Sequence, residues 1–123
     1  MSGFAFDRKY TFRSRIEEAG RVLAKYPDRV PIIVEKDPAC TTVADIDKHK
    51  YLVPRTLTMG QFQHIVRKRL KVTPETAIFM FVQGGILPTA TESVGEVYER
   101  LGGEDKYLKM TYSSENVLSL IHI

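Results

Sequence analysis

A proline sits inside the strongest strand signal of this chain. From Arg29 to Lys36 the residues Val30, Ile32, Ile33 and Val34 are β-branched and favour extended backbone. Pro31 lacks the amide hydrogen that a fully paired strand needs, which confines such a strand to a position near a sheet edge. A second strand is expected from about Lys48 to Val53, closed by Pro54. Prolines in or beside both strands point to an edge left accessible.

The other elements follow from periodicity and capping. Between Thr11 and Tyr26 the residues Phe12, Ile16, Ala19, Leu23 and Tyr26 recur at helical spacing, and Pro27 ends the run. This predicts an amphipathic helix with those five residues as its buried stripe, and a shorter helix can precede it over Phe4 to Tyr10. Thr58 and Gln61 form a capping box, with Leu57 and Phe62 placed as a hydrophobic staple over it. The helix that follows turns Phe62, Ile65, Val66 and Leu70 inward and carries Arg67, Lys68, Arg69 and Lys71 where its dipole favours cations. Ala77 to Val82 reads as a strand buried on both faces, followed by a turn at Gln83-Gly84-Gly85. Ser93 and Glu96 start a short helix that Gly102 ends, and Tyr107 to Tyr112 supplies a last strand. Two strands, a crossing helix and further strands make an α+β chain on the ubiquitin-like β-grasp plan, with an additional N-terminal helical arm. One compact domain is expected, with the arm at 1–27, the core at 28–116 and a tail at 117–123.

Composition narrows the function classes. The longest apolar run is Ala77 to Val82, far short of the ~20 residues of a membrane span. No secretory signal is read at the start, and the single cysteine, Cys40, fits a reducing cytoplasm. The net charge of +3 is too small to imply nucleic acid, yet residues 1–71 carry +7 and residues 72–123 carry −4. A basic first part attracts acidic partners, although a solvated mixed surface explains charge of this size as well. His49, His64 and His122 have no metal-ligand spacing, and Gly84-Gly85 lacks the Lys-Ser/Thr of a phosphate loop. Cys40 has no neighbouring His and is expected to be an inert loop thiol. No nucleophile and base mark an enzyme, and no cofactor is implied.

A longer pattern carries more information. Lys25-Tyr26-Pro27-Asp28-Arg29-Val30-Pro31-Ile32-Ile33-Val34-Glu35-Lys36 resembles the GABARAP and microtubule-associated light-chain family of autophagy modifiers. The likeness continues at Asp47, Lys48, Lys50-Tyr51-Leu52-Val53-Pro54, Gly60-Gln61-Phe62, Arg67-Lys68-Arg69, Tyr112-Ser113 and Glu115. It spans about Thr11 to Val117, with a small loop insertion around Thr41. The resemblance implies a ubiquitin-like modifier that a protease trims to a C-terminal glycine. Activating and conjugating enzymes then attach that glycine to phosphatidylethanolamine on the autophagosome membrane. There such a modifier recruits receptors and adaptors bearing an aromatic-x-x-aliphatic motif with acidic neighbours.

The resemblance also implies two apolar pockets beside an open strand edge. The first, for the aromatic residue, would use Glu18, Val22, Pro31, Lys48, Leu52 and Tyr107. Glu18 and Val22 stand four apart, off the buried stripe of their helix, where an apolar residue needs another use. The second, for the aliphatic residue, would use Tyr51, Val53, Pro54, Leu57, Phe62 and Ile65, some of which a plain core would also require. Lys48 to Leu52 would take the peptide as an added strand, and Arg29, Lys50 and Arg69 would meet its acidic flanks. The chain departs from the family pattern at Ser119, where glycine is expected, so the chain as written is not expected to be conjugated to lipid. The alternative function is a non-lipidated adaptor that binds tubulin or vesicle proteins through the basic N-terminal half.

Overall fold

The computed structural model describes residues 3–83 and 85–115. Along the chain run α1 (Ala5–Lys9), α2 (Phe12–Lys25), β1 (Arg29–Lys36), β2 (Lys50–Pro54), α3 (Met59–Leu70), β3 (Phe79–Val82), α4 (Val94–Leu101) and β4 (Leu108–Ser113). The strands form one sheet in the order β2-β1-β4-β3, with β1 antiparallel to β2 and parallel to β4. This mixed sheet, preceded by two helices, is the expected α+β arrangement. The expected tail and Ser119 lie outside the described residues.

Local chemistry sets the helix starts. The Thr11 side chain accepts from the Ser14 amide at 3.1 Å and begins α2. Both capping boxes form: Thr58 with Gln61 starts α3, and Ser93 with Glu96 starts α4. The Gly102 amide closes α4 on the Tyr98 carbonyl.

Strand alternation divides the interior in two. On one face Val30, Ile32 and Val34 of β1 join Tyr51 and Val53 of β2, Phe62 and Val66 of α3, and Val94, Val97 and Leu101 of α4 in the main core. On the other face Ile33 packs with Phe6 of α1, Ala19 of α2 and Tyr107. β1 is therefore an inner strand buried on both sides, next to the edge strand β2 as expected. Pro31 is tolerated there for a geometric reason. The Val34 amide donates to the His49 carbonyl at 2.8 Å, so by alternation Pro31 and Leu52 form a non-hydrogen-bonded pair. The missing amide of Pro31 points towards β4, which begins one residue further on, opposite Ile32.

Three expectations are corrected. Phe12 of the supposed buried stripe is 47% exposed, because α2 touches the second core chiefly through Ala19. The Arg15 guanidinium covers the Phe12 ring instead, 5.7 Å from its centroid. Ile65 on α3 is 37% exposed and does not face inward. β3 starts at Phe79 and leaves Ala77 exposed, although Met80, Phe81 and Val82 are buried on both of its faces. Cys40 lies in a loop as expected but is buried. Burial pushes its thiol up, and bonds from Ser114 and Thr42 outweigh this and bring it to about 6.

The arm is tied down by charge. Glu35 accepts from the amides of Ala5 (2.8 Å) and Phe6 (3.0 Å), the free donors at the start of α1. Behind the arm, Asp105 takes Arg15 Nε at 2.8 Å and Lys109 Nζ at 2.7 Å, and Lys109 also pairs with Asp7 at 2.7 Å. Arg15 donates to the carbonyls of Asp7 (3.2 Å) and Tyr10 (2.6 Å).

Candidate peptide-binding edge

β2 is the outer strand of the sheet, and its backbone polarity follows from the register. Tyr51 and Val53 lie opposite Ile32 and Val30, and their amides and carbonyls face β1. Lys50 and Leu52 occupy the alternate positions, so their amides and carbonyls point away from β1. Among the described residues no strand pairs with that side. Two donors and two acceptors therefore stand ready to take an extended chain.

Of the residues expected for the first pocket, Glu18 and Tyr107 are brought together by a hydrogen bond and Pro31 and Leu52 by the strand register. Pro31 and Leu52 are register partners, and Ile33 lies on the same face two residues further along β1. Glu18 and Val22, both half-buried, come from α2. Glu18 Oε1 accepts from the Tyr107 hydroxyl and, at 2.8 Å, from Lys50 Nζ. Those two bonds, Lys50's first, hold the Glu18 carboxyl below its ordinary range against the opposing effect of burial. Burial and then Glu18 push the Tyr107 phenol well above its ordinary value. Lys48 does not fill its expected place. It precedes β2, and its ammonium lies 5.1 Å from the centroid of Tyr51, whereas Lys50 is the lysine that meets Glu18.

The expected second pocket lies across the strand. Tyr51 and Val53 are buried towards α3, and the Tyr51 ring meets Phe62 edge-on at 5.5 Å and 89°. Leu57 packs partly buried against the main core, Pro54 is exposed at the end of β2, and Ile65 is open to solvent. Phe62, with no exposed surface, is core. Ile65 is available as wall.

The three flanking cations already have partners. Lys50 holds Glu18, Arg69 Nε holds Asp47 at 2.9 Å, and the Arg29 guanidinium lies 5.4 Å from the Tyr26 centroid. These exposed pairs are weak enough to exchange for a partner's carboxylates. A cleft of about 730 Å³ continues the edge beneath α1, lined by Phe6, Lys9, Tyr10, Lys36, Lys48 and Lys50 among others. Sequence reasoning missed Phe6, because nothing local says that α1 folds back onto β1. Ile33, with no exposed surface, is core on that face.

Comparison with known proteins agrees with the fold. The family model described as "Autophagy protein Atg8 ubiquitin like" matches residues 14–119. Autophagy-related protein 8B of Oryza sativa subsp. indica is 47% identical over 121 residues, covering 98% of this chain and 100% of the rice protein. Autophagy-related protein 8e of Arabidopsis thaliana is 49% identical over 114 residues, covering 93% and 92%. Autophagy-related protein 8 of Mycosarcoma maydis is 46% identical over 112 residues, covering 91% and 93%. The chain belongs to the Atg8 family of ubiquitin-like autophagy proteins. No helix among the described residues is long and apolar enough to cross a membrane.

Proposed function

We propose that this chain acts by binding autophagy receptors and adaptors through an extended aromatic-x-x-aliphatic segment laid along the outer edge of β2. The observation that carries the reading is the outward backbone of Lys50 and Leu52, set between an apolar site on each face of the sheet. The aromatic residue enters beside Glu18, Val22, Pro31, Leu52 and Tyr107. The aliphatic residue enters beside Tyr51, Val53, Leu57 and Ile65. Acidic flanks meet Arg29, Lys48, Lys50 and Arg69. This reading is favoured over attachment to tubulin or vesicle proteins through the basic N-terminal half. Part of that charge is buried within the chain, as at Arg15, which pairs with Asp105. Conjugation to phosphatidylethanolamine is a separate step that turns on position 119, where serine stands.

Titration of a labelled motif peptide is expected to give a micromolar dissociation constant, about −8 kcal/mol. A Lys50→Ala, Leu52→Ala chain is expected to bind at least about tenfold more weakly, and added salt to weaken acidic-flanked peptides more than neutral ones. Equal binding by the parent and the double variant would sink the assignment.

A further inference from the structure

We infer that the Tyr107 hydroxyl determines specificity in the first pocket: with Lys50 it occupies Oε1 of the pocket's carboxylate, so a hydrogen-bond donor on the incoming aromatic ring gains little at that oxygen. The inference rests on the peptide-binding reading above. Three aromatic side chains compete for such a site, and they differ in one respect that matters here. A phenyl ring carries no donor, whereas indole and phenol carry one each. An open carboxylate in an apolar pocket prefers the donor-bearing rings, commonly by about tenfold, because hydrogen bonds to charged groups are the stronger ones.

Oε1 of Glu18 is not open in that sense. It already accepts from the Tyr107 hydroxyl and from Lys50 Nζ. Tyr107 is buried, its ring set edge-on against Phe6 at 4.9 Å. The Lys50 ammonium is braced from the arm, 5.4 Å from the Phe6 centroid and 5.3 Å from that of Tyr10. A ring N–H that displaces the phenol from Glu18 exchanges one charge-assisted bond for another. It also leaves a buried hydroxyl without a partner, which costs what the new bond gains. For a donor that reaches Oε1, the ring is then chosen by apolar area.

Tyr107→Phe removes the competing donor and leaves the ring in place. Two peptides differing only in Phe or Trp at the aromatic position are titrated into the parent chain, into Tyr107→Phe and into Tyr107→Phe with Glu18→Gln. The Trp:Phe affinity ratio is expected to rise about fivefold in Tyr107→Phe and to fall back to the parent ratio in the double variant. Carbon-13 NMR titration of the Glu18 carboxyl, without peptide, supplies a second readout. Loss of the phenol's bond is expected to raise its midpoint towards the ordinary glutamate value. A changed Glu18 titration with an unchanged ratio overturns the specificity role. An unchanged titration overturns the hydrogen bond itself, whether or not the ratio moves. Failure of the parent chain to bind either peptide overturns the peptide-binding reading and this inference with it.

Discussion

Asp105→Asn is expected to destabilise the chain by about 3 kcal/mol at neutral pH, lowering the unfolding midpoint by roughly 10 °C. Asp105 is 1% exposed and carries two cations, Arg15 and Lys109, that are themselves largely out of water. Asparagine has the same shape but no charge, so both cations remain buried with Asp7 as their remaining carboxylate. The loss falls on the arm in particular, because Arg15 also carries the carbonyls of Asp7 and Tyr10 at the end of α1. The pH dependence has a definite sign. Burial pushes the Asp105 carboxyl up, but the bonds from Lys109, Arg15 and the Tyr107 amide outweigh it and hold the folded-state value below the unfolded one. A carboxyl depressed in this way contributes stability above its unfolded value near pH 4, and that contribution is lost as pH falls through the folded value. The parent and Asp105→Asn should therefore differ most at neutral pH and converge in acid. Urea unfolding at several pH values measures this. A neutral-pH difference under about 1 kcal/mol would show that the buried network does not hold the arm.

The second large effect separates wall from core on α3. Phe62→Ala is expected to cost about 3–5 kcal/mol, much of the stability of a domain this size. Phe62 has no exposed surface and supports Tyr51 edge-on, so its removal opens a cavity beneath β2. Ile65→Ala, on the exposed side of the same helix, is expected to change stability by less than about 1 kcal/mol. It should nevertheless weaken motif-peptide binding several-fold. Thermal unfolding and peptide titration on the two variants supply the comparison. Similar stability losses in both would mean that Ile65 is also core, and the second pocket would lose its open wall.

The features legible in the sequence are those decided locally. The capping boxes at Thr58–Gln61 and Ser93–Glu96 need only residues three apart, and each helix begins where they stand. Prolines at 31 and 54 marked β1 and β2, though not which of them is outermost. That depends on β4, whose partner register with β1 joins residues more than seventy apart. The helical stripe from Phe12 to Tyr26 was read as wholly buried because periodicity reports a face, not how much of it is covered. Lys48 and Lys50 have the same parity and charge, and only the start of β2 at Lys50 separates their surroundings. The charge cluster is the least legible part. Asp7, Arg15, Asp105 and Lys109 come from both ends of the chain, and no spacing rule brings them together.

Amide hydrogen exchange along β2, with and without a saturating motif peptide, tests the central claim most directly. In the free protein the Tyr51 and Val53 amides face β1 and should exchange slowly, while the outward Leu52 amide should exchange fast. Strand addition on the outer edge predicts that peptide slows Leu52 by roughly tenfold or more while Tyr51 and Val53 change little. Peptide binding with Leu52 left fast, or with protection appearing on β3 instead, would contradict the account.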